Sequence, residues 1–516
     1  VDDHNARGVT DVLVIGAGPT GLLLAIVLTR CGVRVTIVDR KPGPTRESRA
    51  VVLQARTMEI YAQLGIAERM TAASADVRLV APGFGRRRFG VVPVGAIGVG
   101  LTPFPRLTVL EQSKTESILA GYLAELGVRV GWNATVELPS ELPASHDVTV
   151  RSPEGTRVIG ARYVVGADGV NSIVRRALGI EFEGSTSEHT FFVCDADDVR
   201  GLTTDAVNVR LGNAEFLLGF PLPAEGATDH QRIIGLLPPG GGGEIVEPSA
   251  RAAVARAFGV EWGDSRWFST YRVQHRVATV FRRGAYFLAG DAGHVHSPVG
   301  AQGMNTGLQD AHNLALKLVD VIAGRAPESY LDRYEAERQP VAVRLIASTD
   351  RVFGLATSSR RRDRMVRRWL APILAPAFIQ VLPHLPGASR LFGYVSQTRI
   401  HYWMDAEDKL RSGGYRDPVV GRRLPWTGDN HDALRTFDWQ VHGYGGTDAG
   451  PAGAGLSLSA HSFPSTARTP LRGGTLYLVR PDGFVAAKAA PADAVRVFAR
   501  AVPWATAAPA AGPSRH

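Results

Sequence analysis

Cysteine is nearly absent: Cys31 and Cys194 are the only two in 516 residues, far apart and without the spacing of metal ligands. That argues against a disulfide framework and against a zinc or other metal site, and it suits a reducing cytoplasm. Lysine is scarce as well, confined to positions 41, 114, 317, 409 and 488, so the formal net charge of +9 rests on arginine. With abundant Ala, Gly and Pro, this bias reads as a GC-rich coding background. Basic and acidic residues are interspersed along most of the chain, which speaks against nucleic acid as a partner. The densest basic cluster, Arg360, Arg361, Arg362, Arg364, Arg367 and Arg368 beside Met365, Val366 and Trp369, reads as the solvated or subunit-facing side of a helix. Long apolar runs are missing too. Residues 12–28 carry no charge, but Gly16, Gly18 and Pro19 interrupt them, so neither a signal sequence nor a membrane span is expected.

What is present begins at the amino end. Asp11-Val-Leu-Val-Ile-Gly16-Ala-Gly18-Pro-Thr-Gly21 is a short apolar strand running into a glycine turn, followed by an apolar helix, Gly32 as its stop, and a second strand that closes on Asp39. Gly16 allows the tight turn, Gly18 lets the backbone approach a pyrophosphate, and Gly21 lets the helix pack close to the strand. The helix N-terminus then presents free N–H groups to the phosphates, and the Asp39 carboxylate can accept from both hydroxyls of an adenosine ribose.

The length allows about three domains, and the pattern along the chain divides accordingly. Helices are predicted over 55–64, ending at Gly65, and over 111–126, with a strand at 128–132. Short apolar bursts among Gly and Pro at 77–105 suggest strands and turns. Residues 163–169 read as strand then turn. From about 181 to 273 the texture becomes that of antiparallel strands, with 240–243 as a flexible loop. The α/β character returns at 285–291, before a Gly-rich loop and a helix over about 304–321 with Leu308, Ala311, Ala315, Leu318 and Ile322 on one face. Turns fall at Pro383, Pro386 and Gly387. The tail holds a strand at 475–479, the turn Pro481-Asp-Gly483, a strand at 484–488 and a helix from about 492, with the last dozen residues expected to be disordered.

Two Asp-Gly pairs sit where doubly wound sheets place ligand contacts, at the carboxyl ends of predicted strands. Together with Gly16, Gly18, Gly21 and Asp39, with Arg46-Glu-Ser-Arg49-Ala-Val-Val-Leu-Gln54, with Gln112, with Val165-Gly-Ala-Asp168-Gly169, and with the string from Gly290-Asp291 through Pro298 to Gly303-Met304-Asn305, they carry a resemblance. Over roughly residues 10–340 the chain resembles flavoprotein aromatic monooxygenases of the para-hydroxybenzoate hydroxylase type. It is most similar to the larger hydroxylases of aromatic polyketides that bear a C-terminal thioredoxin-like domain.

The resemblance implies an α/β fold in three parts. These are a discontinuous Rossmann-like FAD-binding domain over 1–180 and 275–400, a middle substrate-binding β-sheet domain over 181–274 that takes in strands from 77–105, and a thioredoxin-like domain over 401–516. It implies non-covalent FAD held by Gly16, Gly18, Gly21, Asp39 and the adjoining Arg40. Arg49 and Gln112 would hold the pyrophosphate and ribityl arm, Asp291 would accept from a ribityl hydroxyl, and the backbone N–H groups of Gly303, Met304 and Asn305 would face the flavin pyrimidine. Asp168 would touch flavin and nicotinamide, and Pro298 would lie against the ring where oxygen reacts. Arg49 and Pro298 are thus the candidate catalytic residues, whereas His294, His296 and His312 read as structural. With no second GxGxxG unit, NADPH or NADH would bind only transiently over the flavin.

The implied reaction consumes NAD(P)H and O2 and hydroxylates a phenolic polycyclic substrate through a C4a-hydroperoxyflavin, in a pocket lined by Phe104, Phe216 and Phe220. Baeyer–Villiger insertion into a related ketone uses the same parts, and a flavin-binding partner without turnover is the alternative of a different class. No Trp-x-Trp-x-Ile-Pro string of flavin halogenases occurs. The tail has no cysteine, so a thioredoxin-like domain there cannot exchange disulfides and serves packing or dimer contacts, the protein being a monomer or homodimer.

Overall fold

The structure, a computed structural model, describes residues 8–46, 50–138, 147–212, 215–223, 229–236, 245–296, 301–357, 387–404, 406–464 and 469–506. The arginine cluster at 360–368, Pro383, Pro386 and the last ten residues lie outside them, as do Arg49 and Pro298.

Four parallel strands form the centre of the first sheet, in the order Tyr286–Leu288, Gly155–Gly166, Gly8–Ile15 and Val35–Val38. The helix Pro19–Arg30 follows the first strand. It carries no charge before Arg30 because every residue from Gly21 to Leu28 is buried, between the sheet on one side and the helix Gly303–Ile322 on the other. Gly21 is what permits the close approach, since a Cβ there would sit 1.9 Å from the Gly16 carbonyl oxygen. The helix Ala55–Leu64 ends at Gly65 in the left-handed conformation, φ 78°, as its sequence predicts. The strand predicted at 128–132 is a correction. Only Gly131 bridges to Val38, because the chain then turns through Asn133 at positive φ and leaves the sheet edge.

The second sheet has eight strands, running from His294–Val295 through Ser265–Ala278, Phe182–Ala196, Gln231–Leu236, Phe216–Pro221 and Ala206–Leu211 to Leu79–Phe84 and Arg87–Arg88. One face is covered by the helix Glu247–Phe258, whose Ala250, Val254 and Phe258 pack with Phe192, Leu217 and Ile233. This helix is absent from the strand-only reading of 181–273. Its i, i+4, i+8 apolar residues and its proline in the first turn are short-range signals submerged in strand-rich surroundings. The other face, with Phe191, Val193, Phe216, Ile234 and Val273, packs with Val51 and Val52 beside the first sheet.

Toward the carboxyl end, Gln440–Tyr444 pairs parallel with Ser459–Phe463 and antiparallel with Leu476–Val479, which pairs antiparallel with Val485–Ala489. The helix Gly450–Leu456 joins the parallel pair and Ala494–Ala501 follows the last strand. Among the described residues no helix is long and apolar enough to cross a membrane.

Candidate active site

A cleft of about 590 Å³ opens between the carboxyl ends of the parallel strands and the second sheet. Its first wall is built from backbone. Gly18 caps the helix Pro19–Arg30 with no side-chain hydrogen bond, and a Cβ added to it would meet nothing within 4 Å, so the peptide there faces open space. Gln302 likewise caps the helix Gly303–Ile322 without a side-chain bond. Two helix N-termini, each with first-turn N–H groups that the helix itself cannot satisfy, therefore meet one cleft. That is a donor set suited to a dianionic pyrophosphate at one end and a ring that gains negative charge at the other, and it fits FAD.

Of the residues singled out in the sequence, Gly18, Gln112, Asp291, Gly303 and Met304 line this cleft. Asp39 stands beside the glycine turn: its Oδ2 accepts from the Ala17 N–H at 2.6 Å and its Oδ1 from the Lys41 N–H at 2.8 Å, so part of its acceptor capacity fixes the turn itself. Arg40 is exposed and does not line the cleft. Gln112 opens the helix Gln112–Glu125 and donates to Glu116 Oε1 at 2.9 Å. Asp291 lies on a turn just after the strand Tyr286–Leu288 and is exposed to the cleft.

Two residues behave differently from their neighbours. Asp168 turns its Oδ2 to the Ile173 N–H at 2.7 Å, and burial pushes its carboxyl up despite the Ser172 and Ile173 hydrogen bonds. That oxygen is committed to its own turn, while Gly169 and Val170 line the cleft. The Asn305 side chain faces away from the cleft, accepting from the Gln54 N–H at 2.8 Å and Thr57 Oγ1 at 2.7 Å and donating to the Val52 and Ala301 carbonyls, both at 2.9 Å. It staples the helix Gly303–Ile322 to the segment before Ala55–Leu64.

Behind that helix lies a cluster the sequence reading did not assign. Asp310 Oδ2 meets His294 Nε2 at 2.7 Å and accepts from the Gly290 N–H at 3.2 Å, and its Oδ1 accepts from Arg338 Nε at 2.6 Å. Burial alone would raise the Asp310 carboxyl, but Arg338 and His294 more than offset it and hold it below the ordinary value. Arg338 also donates to the Thr306 carbonyl at 3.1 Å, so one carboxylate ties the Gly290-Asp291 turn to the first turns of the helix. His294 thus bonds a buried carboxylate behind the helix and does not line the cleft. His312 bonds Gln63 Oε1 at 3.0 Å, whereas His296 lines the cleft near Gly303. The trace in the sequence was Asp310 among Gln309, His312 and Asn313 on a helix whose other face is apolar, a pattern that does not say which partner each polar side chain meets.

The second wall is the sheet. Phe220, Ile234, Trp267, Tyr271 and Val273 line it, with Arg272 and Gln274 alongside. Phe216 and Phe104 are corrections. Phe216 shares a face with Phe220 but sits four residues farther along its strand, buried edge-on against Phe191 at 5.6 Å. Phe104 is half-buried against the first core, away from the cleft. Trp267 and Tyr271 were missed because half-buried strand aromatics look alike in sequence whether a cleft or a core lies above them.

Residues 9–349 match the FAD binding domain family. The 6-methylpretetramide 4-monooxygenase of Streptomyces rimosus is 37% identical over 389 residues, covering 72% of this chain and 65% of that protein. The 12-dehydrotetracycline 5-monooxygenase/anhydrotetracycline 6-monooxygenase of Streptomyces rimosus subsp. rimosus is 31% identical over 505 residues, 93% of this chain and 95% of that one. Among solved structures, the OxyS anhydrotetracycline hydroxylase from Streptomyces rimosus aligns with a TM-score of 0.73 at 28% identity, covering 96% of this chain and 99% of that one. The glycine turn, the two converging helix N-termini and these likenesses agree, and the chain belongs to the FAD binding domain family, among its FAD-dependent monooxygenases.

Proposed function

We propose that this monooxygenase hydroxylates a fused, polyketide-derived phenol, taking electrons from NADPH or NADH. The observation that carries the reading is the single cleft with a backbone wall of two helix N-termini and an aromatic wall on the second sheet. Bound FAD supplies electron storage and oxygen activation. The residues supply the rest. Gly18 and the N-terminus of Pro19–Arg30 would hold the pyrophosphate together with Gln112, and the family resemblance assigns Arg49 to the same group. Asp39 serves the ribose, with Arg40 next to it. The N–H groups of Gly303, Met304 and Asn305 would stabilise negative charge on the reduced ring, and the family resemblance assigns Pro298 to the oxygen-reacting side. The aromatic wall excludes water while oxygen is transferred.

Anaerobic mixing of the FAD-loaded protein with NADH or NADPH across a panel of fused phenols, followed by flavin absorbance, tests this. At least one compound should accelerate reduction and gain one oxygen when O2 is admitted. Equally slow reduction with every aromatic would overturn the reading.

In this reading Asp291 binds the ribityl arm, which its position on the cleft supports. Asp291→Ala should then weaken FAD binding by about 1.5–3 kcal/mol, the range for a hydrogen bond to a charged group. Flavin fluorescence titration would show it, and unchanged affinity would contradict the assignment.

The division into a discontinuous flavin domain, a middle sheet and a C-terminal domain is likewise our proposal. A thioredoxin-like reading of the last domain is supported by its strand order, a parallel pair beside an antiparallel hairpin with the third strand opposed to the rest. It carries no cysteine and so packs rather than reacts, in a monomer or homodimer.

A further inference from the structure

We propose that Trp267 is the specificity-determining platform of the cleft, stacking a planar phenol of several fused rings, and that the partly buried Arg232–Asp195 pair is the positioning device that holds its indole. The inference rests on the proposed phenol-hydroxylating function and adds which residues choose the substrate.

The strand register supplies the geometry. Trp267 pairs with Asp195, Asp195 with Arg232, and Arg232 with Phe220, so these four side chains form one row across four strands, on one face. Trp267 and Phe220, at its two ends, line the cleft. The parallel row through Tyr271, Phe191, Leu236 and Phe216 is aromatic and aliphatic throughout. A charged pair in such a face needs a reason, because burying two ions costs free energy that their attraction does not reliably return.

The contacts of Arg232 give one. Its Nε and Nη2 bond the two oxygens of Asp195, each at 2.7 Å, which fixes the guanidinium plane. That plane lies over the Trp267 ring, 5.6 Å from the centroid. Arg232 is 2% exposed and is not part of the cleft surface, so it covers one side of the indole and leaves the uncovered part to a ligand. Its Nη1 also reaches the Ala50 carbonyl at 3.3 Å, and Ala50 is itself on the cleft.

The platform is long. Trp267 and Tyr271 line the cleft four residues apart on one strand, about 13 Å at the usual rise. Tyr271 is held in its turn by stacking on Phe191 at 5.6 Å and 25°. Two fixed aromatic rings at that separation match a ligand several rings long. A single-ring phenol can reach one of them only.

The test uses the FAD-loaded protein, with 2-anthrol as the fused probe and phenol as the single-ring one, each followed by ligand or flavin fluorescence. Trp267→Leu should weaken 2-anthrol about 10-fold, the equivalent of one aromatic stacking contact, and phenol less than about 2-fold. Trp267→Phe should lie between and guards against a folding defect. Arg232→Met should weaken 2-anthrol about 3-fold or more in the wild-type background and not at all in Trp267→Leu, because the cation acts through the indole. FAD affinity should stay constant across the series. Equal 2-anthrol affinity in wild type and Trp267→Leu overturns the platform. An Arg232→Met loss of the same size in both backgrounds overturns the positioning role and assigns Arg232 to the Ala50 segment instead. Wild-type protein that binds no aromatic at all overturns the functional reading as well.

Discussion

Arg480→Ala is expected to destabilise the protein by about 3–5 kcal/mol, the cost of removing one partner from a buried ionic cluster. Arg480 lies on the turn between Leu476–Val479 and Val485–Ala489 and is 3% exposed. Its guanidinium bonds both oxygens of Glu337, at 2.7 and 2.9 Å, and both oxygens of Asp482, at 3.0 and 2.6 Å. Glu337 belongs to the helix Asp332–Thr357 and also accepts from Lys317 Nζ at 2.9 Å and Asn313 Nδ2 at 2.8 Å, both on the helix Gly303–Ile322. The C-terminal sheet is thereby bonded to the helix whose other end opens the cleft. Without the guanidinium, two buried carboxylates keep the Lys317 ammonium and, at the rim, Arg333 at 3.3 Å from Glu337, and the ammonium is already disfavoured: burial pushes Lys317 down to about 8, against the pull of Glu337. A drop of about 3–5 °C in the thermal transition should follow for a chain of this length unfolding as one unit. Arg480→Met together with Glu337→Gln should recover part of it, because the penalty lies in the stranded charge. A loss below about 1 kcal/mol for Arg480→Ala would mean that water reaches the seam and screens it.

The same seam shows what a sequence can and cannot disclose. The glycine turn, the helix Ala55–Leu64 with its Gly65 stop and the helix Gly303–Ile322 were legible because each is written in adjacent residues: a cap, a period, a positive-φ position. Gly18, Gln112, Asp291, Gly303 and Met304 were legible as a set through their resemblance to a family. Trp267, Asp195 and Arg232 were not. Their relation lies in the register of three strands drawn from 182–196, 231–236 and 265–278, and no local pattern states which residue of one strand will face which of another. Arg480 and Glu337 are 143 positions apart for the same reason. Phe104 and Phe216 failed as pocket residues because burial alone does not say whether a ring meets ligand or core.

Acidification from pH 6.5 to 4.5 is expected to lower stability through histidines buried in neutral form, His312 and His442 together contributing up to about 5 kcal/mol. Burial pushes His312 and His442 down to about 3, with Arg56 adding to the effect on the first and His461 on the second. Both rings are locked by neutral bonding. His312 Nε2 meets Gln63 Oε1 at 3.0 Å, and the Gln63 amide nitrogen is committed to the Leu434 and Pro481 carbonyls, so the ring nitrogen is the donor. His442 Nε2 meets Gln440 Oε1 at 2.8 Å, and its Nδ1 accepts from the Tyr444 hydroxyl, which accepts in turn from Asn430. A second ring proton would break that chain. The sign follows from proton counting. Below about pH 6.5 the unfolded chain protonates both rings while the folded chain does not, so the unfolded state binds more protons and each ring subtracts about 1.4 kcal/mol per pH unit. Above pH 6.5 neither ring contributes a slope. Urea midpoints at constant ionic strength between pH 7 and 4.5 measure it, and His442→Gln should remove one ring's share of the slope, about 1.4 kcal/mol per pH unit, while His401 and His431, pushed down to about 4 by burial, add theirs. A midpoint unchanged down to pH 5 would show that both rings reach solvent protons in the folded state. Further acidification should steepen the loss, because Glu59, Asp310, Glu337 and Asp482 are held below the usual carboxylate range by buried cationic partners and lose that stabilisation as they protonate. His312 and Asp482 lie on the two sides of the seam that Arg480 bridges, so acid and the Arg480→Ala substitution should weaken the same attachment, and their effects should be less than additive.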